Sequence, residues 1–314
     1  MANFFYQLLR TARPRQWLKN LSLFAPLAFS GQLFVGDKLA TTFQAFLAFC
    51  ALSSVVYFVN DIIDAPKDRK HPIKFNRPIA SGKLSPHAAK VVAAILFISS
   101  IVYALLFVGT FFTYSMLFYI LIQLAYSLHF RNVIILDSLV VGSGFVIRVF
   151  AGGLASNTSI SSWLALTTIG ISLLLAFGKR RSEKTILNKF SVDGKEETRK
   201  TLKHYPDSLL DSMISTSAAY TIITYSLFVF QISPQVVGAG WGSFLPSILR
   251  SPKWMMLTIP LVIYGVARYL YVIYEKGEGE SPERVLLSDK ALLSTVVLWG
   301  VSVMVMIYLL PLIA

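Results

Sequence analysis

Asn60, Asp61, Asp64 and Asp68 form the spacing N-D-x-x-D-x-x-x-D, and Lys67, Arg69, Lys70, Lys74 and Arg77 interleave with it or follow it. Steps of three and four place the three carboxylates on one face of a helix, with about 5–6 Å between neighbouring Cβ atoms. Carboxylates that close repel one another unless a cation sits among them. Magnesium suits the set, because it takes one or two carboxylates, keeps several waters and draws its remaining oxygens from substrate phosphates. Asn60 would add a neutral oxygen ligand or an orienting hydrogen bond, and the flanking cations would hold the phosphates themselves. A solvated mixed-charge loop is the alternative, and four polar residues at this spacing argue against it. The pattern is not an EF-hand loop, which needs alternate-position oxygens, a central Gly and a terminal Glu.

The motif ends a long apolar segment, so its carboxylates lie where a membrane helix meets water. The whole chain has that character: 314 residues, 55% hydrophobic and 14% charged, describe an all-α polytopic membrane protein. Nine apolar stretches are candidate spans, Leu21–Phe34, Leu39–Val59, Val91–Val108, Phe112–Leu128, Val133–Leu154, Ile160–Phe177, Met213–Ile232, Trp254–Tyr274 and Ala291–Leu312. The first is short and interrupted by Pro26. A net charge of +13 raises the question of nucleic acid, but the charge is distributed by topology. Of the 29 lysines and arginines, only Lys38, Arg250 and Lys253 fall on one side of the membrane, and Arg148 and Arg268 lie inside segments. The rest share the other side, which puts the N-terminus in the cytoplasm and the C-terminus outside an inner bacterial membrane. Cys50 is alone in an apolar segment, which excludes disulfides, and the four histidines lack ligand spacing. No cleavable signal peptide is apparent.

One domain is expected over residues 1–314, with an interfacial N-terminal segment at 1–20 and cytoplasmic active-site loops at 60–90 and 178–212. Arg13, Arg15, Trp17 and Lys19 suit a helix lying at headgroup level, either a plain anchor or a lid over a phosphate site. Pro66 should end or break the motif helix near Asp68, and Arg77-Pro78-Ile79 with Ser81-Gly82 reads as a constrained loop. Asp137 and Arg148 stand close to three helical turns apart, so they share a face, directed to the bundle interior or to another helix. Gly142, Ser143, Gly144, Gly152 and Gly153 fit close helix packing. Lys179, Arg180, Arg181 and Lys184 form a basic cluster at a cytoplasmic helix end, which can face one cavity with the carboxylates or simply obey the positive-inside rule. Asp193–Glu197 reads as a helix start, and Trp241 and Trp254 as interfacial anchors.

With these residues in view, the chain resembles the UbiA-type intramembrane prenyltransferases, and Asn60–Asp68 matches their first aspartate-rich motif. The resemblance implies nine transmembrane helices around a cavity open to the cytoplasmic side. It departs after the sixth segment, where Gly178–Lys184 replaces the second aspartate-rich motif. A closer resemblance, over almost the whole chain, is to the polyprenyl-phosphate phosphoribosyltransferases, whose type is the decaprenyl-phosphate enzyme. It rests on Arg13–Asn20, on NDIIDAPKDRKHP with Asn76-Arg77-Pro78-Ile79, on YSLHFRNVIILD, FGKRRSE and His204–Asp207, and on Arg268–Tyr271 with Ser281-Pro282-Glu283. It implies 5-phosphoribosyl-1-diphosphate (PRPP) as donor and a polyprenyl phosphate as acceptor. Asn60, Asp61, Asp64 and Asp68 would then hold Mg2+, with the three aspartates, Lys67 and Arg77 catalytic. Lys19, Arg69, Lys70, Arg77, Tyr126, Arg131, Asp137, Arg148, Lys179, Arg180 and Arg181 would meet substrate phosphates. The expected partners are the two substrates and the bilayer, with no nucleic acid and with self-association left open. An aromatic prenyltransferase is the first alternative, and a transporter lined by Asp137, Arg148 and Arg268 is the second.

Overall fold

The structure is a computed structural model that describes residues 2–70, 74–190, 204–233, 253–276 and 281–313. The helix start at Asp193–Glu197, Trp241 and parts of both expected active-site loops lie outside the described residues. Short helices α1 (Ala2–Ala12) and α2 (Ala25–Phe29) precede α3 (Gly36–Asp68), α4 (Pro86–Phe107), α5 (Thr110–Leu128), α6 (Leu136–Ser156) and α7 (Ser162–Phe190). Then come α8 (Asp207–Ile232), α9 (Trp254–Lys276), α10 (Pro282–Ser288) and α11 (Lys290–Leu312). Among the described residues there is no strand, and eight helices are long and apolar enough to cross a bilayer.

Those eight correspond to the second through ninth expected spans. The first, Leu21–Phe34, does not form a spanning helix. Tight 3-10 turns run over Pro14–Phe24, and Pro26 is tolerated only because it stands at the start of the five-residue α2. Gly31, at φ 74°, then turns the chain toward α3. Within the expected span the helix, first 3-10 and then α, stops at Phe29, and the whole run from Pro14 is shorter than the roughly 20 residues a bilayer-crossing α-helix needs.

Outward-facing side chains show why the bundle belongs in lipid. On α4, Val91, Ile95, Ile98, Val102 and Leu105 recur at helical spacing and are all exposed. On α5, Phe111, Tyr114, Phe118 and Leu121 do the same. Water would penalise such continuous apolar stripes, whereas lipid tails would not. The chain is an integral membrane protein.

Two compact units divide the chain: Met1–Leu27, Leu33–Val140 and Ile147–Thr158 form one, and Ala28–Gln32, Val141–Val146 and Ser159–Ala314 the other. In the first, α3 packs against α1, the 3-10 segment, α4 and α5. Phe49, Leu52 and Val56 meet Phe112, Met116 and Tyr119, while Val55 and Phe58 join a cluster with Ile79, Leu84, Ala89 and Ala93. A polar stripe on α3, Cys50, Ser53, Ser54 and Tyr57, has to be satisfied inside an apolar bundle. The 3-10 segment does this as a strap. Trp17 Nε1 donates to Ser54 Oγ (3.0 Å), Ser54 Oγ donates to the Ala12 carbonyl (3.2 Å), and Tyr57 Oη donates to Gln16 Oε1 (3.3 Å). Asn20 Nδ2 reaches Ser53 Oγ and Cys50 Sγ, each at 3.3 Å.

Gly152 of α6 lets that strap lie close. A Cβ there would stand 2.7 Å from the Leu23 carbonyl carbon and nearer still to its oxygen. Backbone cannot swing aside as a side-chain tip can. Gly152→Ala is expected to destabilise by about 3 kcal/mol, at the upper end for overpacking, and to speed proteolysis of the strap. Gly300→Ala, where nothing lies within 4 Å, should change neither the melting temperature in detergent nor the cleavage rate.

The second unit closes α7 directly on α8. At Gly170 a Cβ would meet Thr221 Oγ1 and Tyr220 Cδ1 at 2.8 Å. Its core joins Leu164, Tyr225, Phe228, Val229, Met255 and Val303. Within it Trp299 Nε1 donates to Tyr225 Oη (2.7 Å), which lies 2.6 Å from Thr258 Oγ1. The half-buried indole and the buried phenol thereby satisfy each other.

Candidate functional site

α3 remains helical through Pro66 to Asp68, so the whole Asn60–Asp68 motif lies on one helix, as its spacing implies. Asp61 and Asp68 are buried, and the Asp64 side chain is 25% exposed. Each carboxylate meets an arginine carried by a different part of the first unit. Arg13 Nη2 lies 2.6 Å from Asp61 Oδ1. Arg77 Nη1 bridges Asp61 Oδ1 (3.2 Å) and Asp68 Oδ2 (2.6 Å), and Arg131 Nη1 lies 2.8 Å from Asp64 Oδ1. Ser127 Oγ donates to Asn60 Oδ1 at 2.6 Å. Charge-assisted bonds of this length offset part of the cost of desolvating the carboxylates.

Local chain geometry presents each arginine. Arg77 follows a 3-10 turn at Lys74–Asn76 and is held by Arg77 N to Lys74 O (3.0 Å) and Ser81 N to Arg77 O (2.8 Å). Pro78, Ile79 and Ala80 behind it are buried, so the loop is anchored rather than free, as its prolines and glycine suggest. Arg131 sits in the turn Phe130–Asn132. Just after it the chain makes a γ-turn, Leu136 N to Ile134 O at 2.7 Å, with Ile135 at φ 68°. A β-branched residue at positive φ is strained by about 1–3 kcal/mol, a cost tolerated where surrounding structure fixes it.

The donors gathered on α3 are all oxygens: three carboxylates and the Asn60 amide oxygen. That set suits a hard divalent cation such as Mg2+ and not zinc or copper. Among the described residues, no three His, Cys, Asp or Glu side chains converge into an ion-binding group, since the carboxylates are turned to their arginines.

The other expected site residues divide by location. Lys67, Arg69 and Lys70 are exposed beside the motif, while Lys19 of the strap and Tyr126 next to Ser127 are half-buried. Asp137 and Arg148 are both buried on α6. Asp137 Oδ1 accepts from Ser138 Oγ (3.3 Å). Arg148 Nε donates to Asn20 Oδ1 (2.7 Å) and Nη2 to Tyr119 Oη (2.8 Å), with the guanidinium over the Tyr119 ring at 4.7 Å. Arg148 thus ties the strap to α5 and α6.

In the second unit the basic run is matched by acids. Arg180 Nη1 lies 2.7 Å from Glu183 Oε2, and Arg181 lies 2.9 Å from Asp211 and 3.4 Å from Asp207. Lys184 Nζ meets Asp207 (3.0 Å) and the Tyr205 carbonyl (2.6 Å), and Lys179 is 3.9 Å from Glu183. Arg268 donates twice to Asp289 at 3.0 Å, and Lys276 adds a bond at 2.8 Å. These partners hold the Asp289 carboxyl well below the usual carboxylate range, Arg268 foremost. Arg268 is therefore bound into a helix junction, which weakens the transporter alternative.

Sequence reasoning placed Arg13 in an interfacial anchor or a lid over a phosphate site, without linking it to the carboxylates, and gave no role to Ser127, Asp207 or Asp211. The polar stripe on α3 was the available signal for the strap, because buried polar groups in a membrane helix demand partners.

Residues 22–186 match the UbiA prenyltransferase family. The decaprenyl-phosphate phosphoribosyltransferase of Corynebacterium glutamicum is 31% identical over 97% of this chain and 87% of its own length. That of Mycolicibacterium smegmatis is 31% identical over 93% of this chain and 89% of its own. A UbiA homologue from Archaeoglobus fulgidus, solved with GPP and Mg2+ bound, shares the fold with a TM-score of 0.66 at 18% identity, covering 95% of this chain and 99% of that one.

Proposed function

The chain belongs to the UbiA prenyltransferase family of membrane transferases, and from that premise we propose that it moves the 5-phosphoribosyl group of PRPP onto a polyprenyl phosphate. Near-full-length identity to curated decaprenyl-phosphate phosphoribosyltransferases carries the reading. The bond between the ribose anomeric carbon and diphosphate breaks, and a bond from that carbon to an acceptor phosphate oxygen forms. Diphosphate leaves with the bonding electron pair, so negative charge gathers on it as the ribose carbon becomes oxocarbenium-like. The acceptor is already an anion at neutral pH and needs no general base, in keeping with a chemistry built on carboxylates and cations alone.

Asn60, Asp61, Asp64 and Asp68 would hold Mg2+, which when bound neutralises charge developing on the leaving diphosphate. Arg77 and Arg131 border those carboxylates at 3.2 Å or less and are suited to the phosphates themselves. Lys67, Arg69 and Lys70 add exposed positive charge that draws anions in. Lys179, Arg180 and Arg181 enter the proposal as further phosphate ligands, which requires them to exchange their present acidic partners. The one-sided distribution of lysine and arginine supports a cytoplasmic N-terminus, and the prenyl chain would lie in lipid.

A second reading, transfer of an isoprenoid from a prenyl diphosphate, draws support from the GPP bound to the A. fulgidus homologue. Diphosphate release by purified protein separates the two. Release should require PRPP, polyprenyl phosphate and Mg2+ together, and EDTA should abolish it. Release from geranyl diphosphate with an aromatic acceptor, and none from PRPP, would favour the second reading.

A further inference from the structure

We propose that Arg13 is a substrate-binding residue of this site, one that leaves Asp61 for the donor's diphosphate when the metal-bound donor enters. The inference rests on the function proposed above and extends it to the N-terminal segment. Arg13 ends α1, its N–H bonded to the Leu9 carbonyl at 3.2 Å. Pro14 follows, and the residue before a proline is disfavoured in the right-handed helical region. Arg13 instead adopts φ 54°, ψ 64°, the left-handed conformation that non-glycine residues rarely take. This bend starts the strap and directs the guanidinium across Tyr57, 4.9 Å from the ring centroid, to Asp61.

The pairing is asymmetric. Asp61 is 2% exposed, whereas the Arg13 side chain is 30% exposed, so a partly exposed cation grips a buried carboxylate. Asp61 Oδ1 also receives Arg77, so two cations converge on one oxygen of an expected metal ligand. A divalent cation at that oxygen would repel both. Arg77 keeps Asp68 at 2.6 Å, but among the described residues the Arg13 ion pair is wholly with Asp61. Displacement from Asp61 therefore leaves Arg13 with no other carboxylate among the described residues, and a planar guanidinium beside a metal-bound diphosphate is matched to two phosphate oxygens at once. The strap's bonds to Ser54, Tyr57 and Ser53 hold its backbone within reach while the side chain changes partner.

Exchange of this kind has opposite consequences for metal alone and for metal with donor. Without PRPP, Arg13 competes with the cation. With PRPP, it contributes to binding. Arg13→Gln should therefore bind Mn2+ alone several-fold more tightly, read by electron paramagnetic resonance. The same variant should bind PRPP with Mg2+ about tenfold more weakly by calorimetry, the worth of one charge-assisted hydrogen bond. Arg13→Lys, keeping charge but losing the planar fork, should restore the competition with Mn2+ and only part of the PRPP affinity. Arg15→Gln removes the same charge from an exposed neighbour and should move neither affinity.

Weakening of both affinities together would make Arg13 merely structural, and no change in either would remove it from the site. Both results overturn the inference while leaving the transferase reading in place. Wild-type protein that binds neither Mn2+ nor PRPP would overturn the reading itself.

Discussion

Asp64→Asn is expected to lower phosphoribosyl transfer about a thousandfold, equivalent to about 4 kcal/mol of transition-state stabilisation, while the bundle stays assembled. Asp64 is the most accessible of the three carboxylates, 25% exposed against 2% and 7% for Asp61 and Asp68. The amide keeps the shape of the side chain and one oxygen but loses the charge that a hard cation requires. Its partner Arg131 is itself 20% exposed. Breaking this pair should cost about 1–2 kcal/mol, between exposed and buried pairs, because the amide oxygen can still accept from Arg131. Turnover by mass spectrometry and the melting temperature in detergent should therefore part company. Transfer within about tenfold of wild type would remove Asp64 from the metal site.

Arg77→Met should do the reverse, costing stability and activity together. Arg77 bridges Asp61 and Asp68, and its removal strands the buried Asp68 carboxylate, whose bond to Arg77 is 2.6 Å. A fully buried pair broken in this way loses about 3–5 kcal/mol. With 26% of the Arg77 side chain solvent-exposed, roughly 2–3 kcal/mol is expected here. Adding Asp68→Asn removes the stranded charge and should recover most of the melting temperature without recovering transfer. If the double variant is no more stable than Arg77→Met, charge is not what Arg77 compensates.

The helices were legible in the sequence because a bilayer demands segments of fixed length and apolar character, and eight of the nine expected spans fold as such helices. The motif was legible because i, i+3 and i+4 spacing survives up to Asp68 despite Pro66. The N-terminal strap was not. Leu21–Phe34 has the composition of a span, yet Pro26 and Gly31 cut it short, and the polar stripe on α3 draws the preceding 3-10 segment against it. Arg13 pairs with a residue 48 positions away, and Arg181 with one 30 positions away. No local periodicity reports such partners. The basic run at Lys179–Lys184 therefore read as open to phosphate, although Glu183, Asp207 and Asp211 stand against it.

Which group is transferred is read most directly from the lipid product. Reconstituted protein with Mg2+ would receive PRPP and geranyl diphosphate together as competing donors, with polyprenyl phosphate and an aromatic acceptor both present. Lipid extracts would then be read by mass spectrometry. A polyprenyl phosphate carrying one added phosphoribosyl group, absent when PRPP is left out, is the predicted result. A prenylated aromatic product with no ribosylated lipid would contradict it.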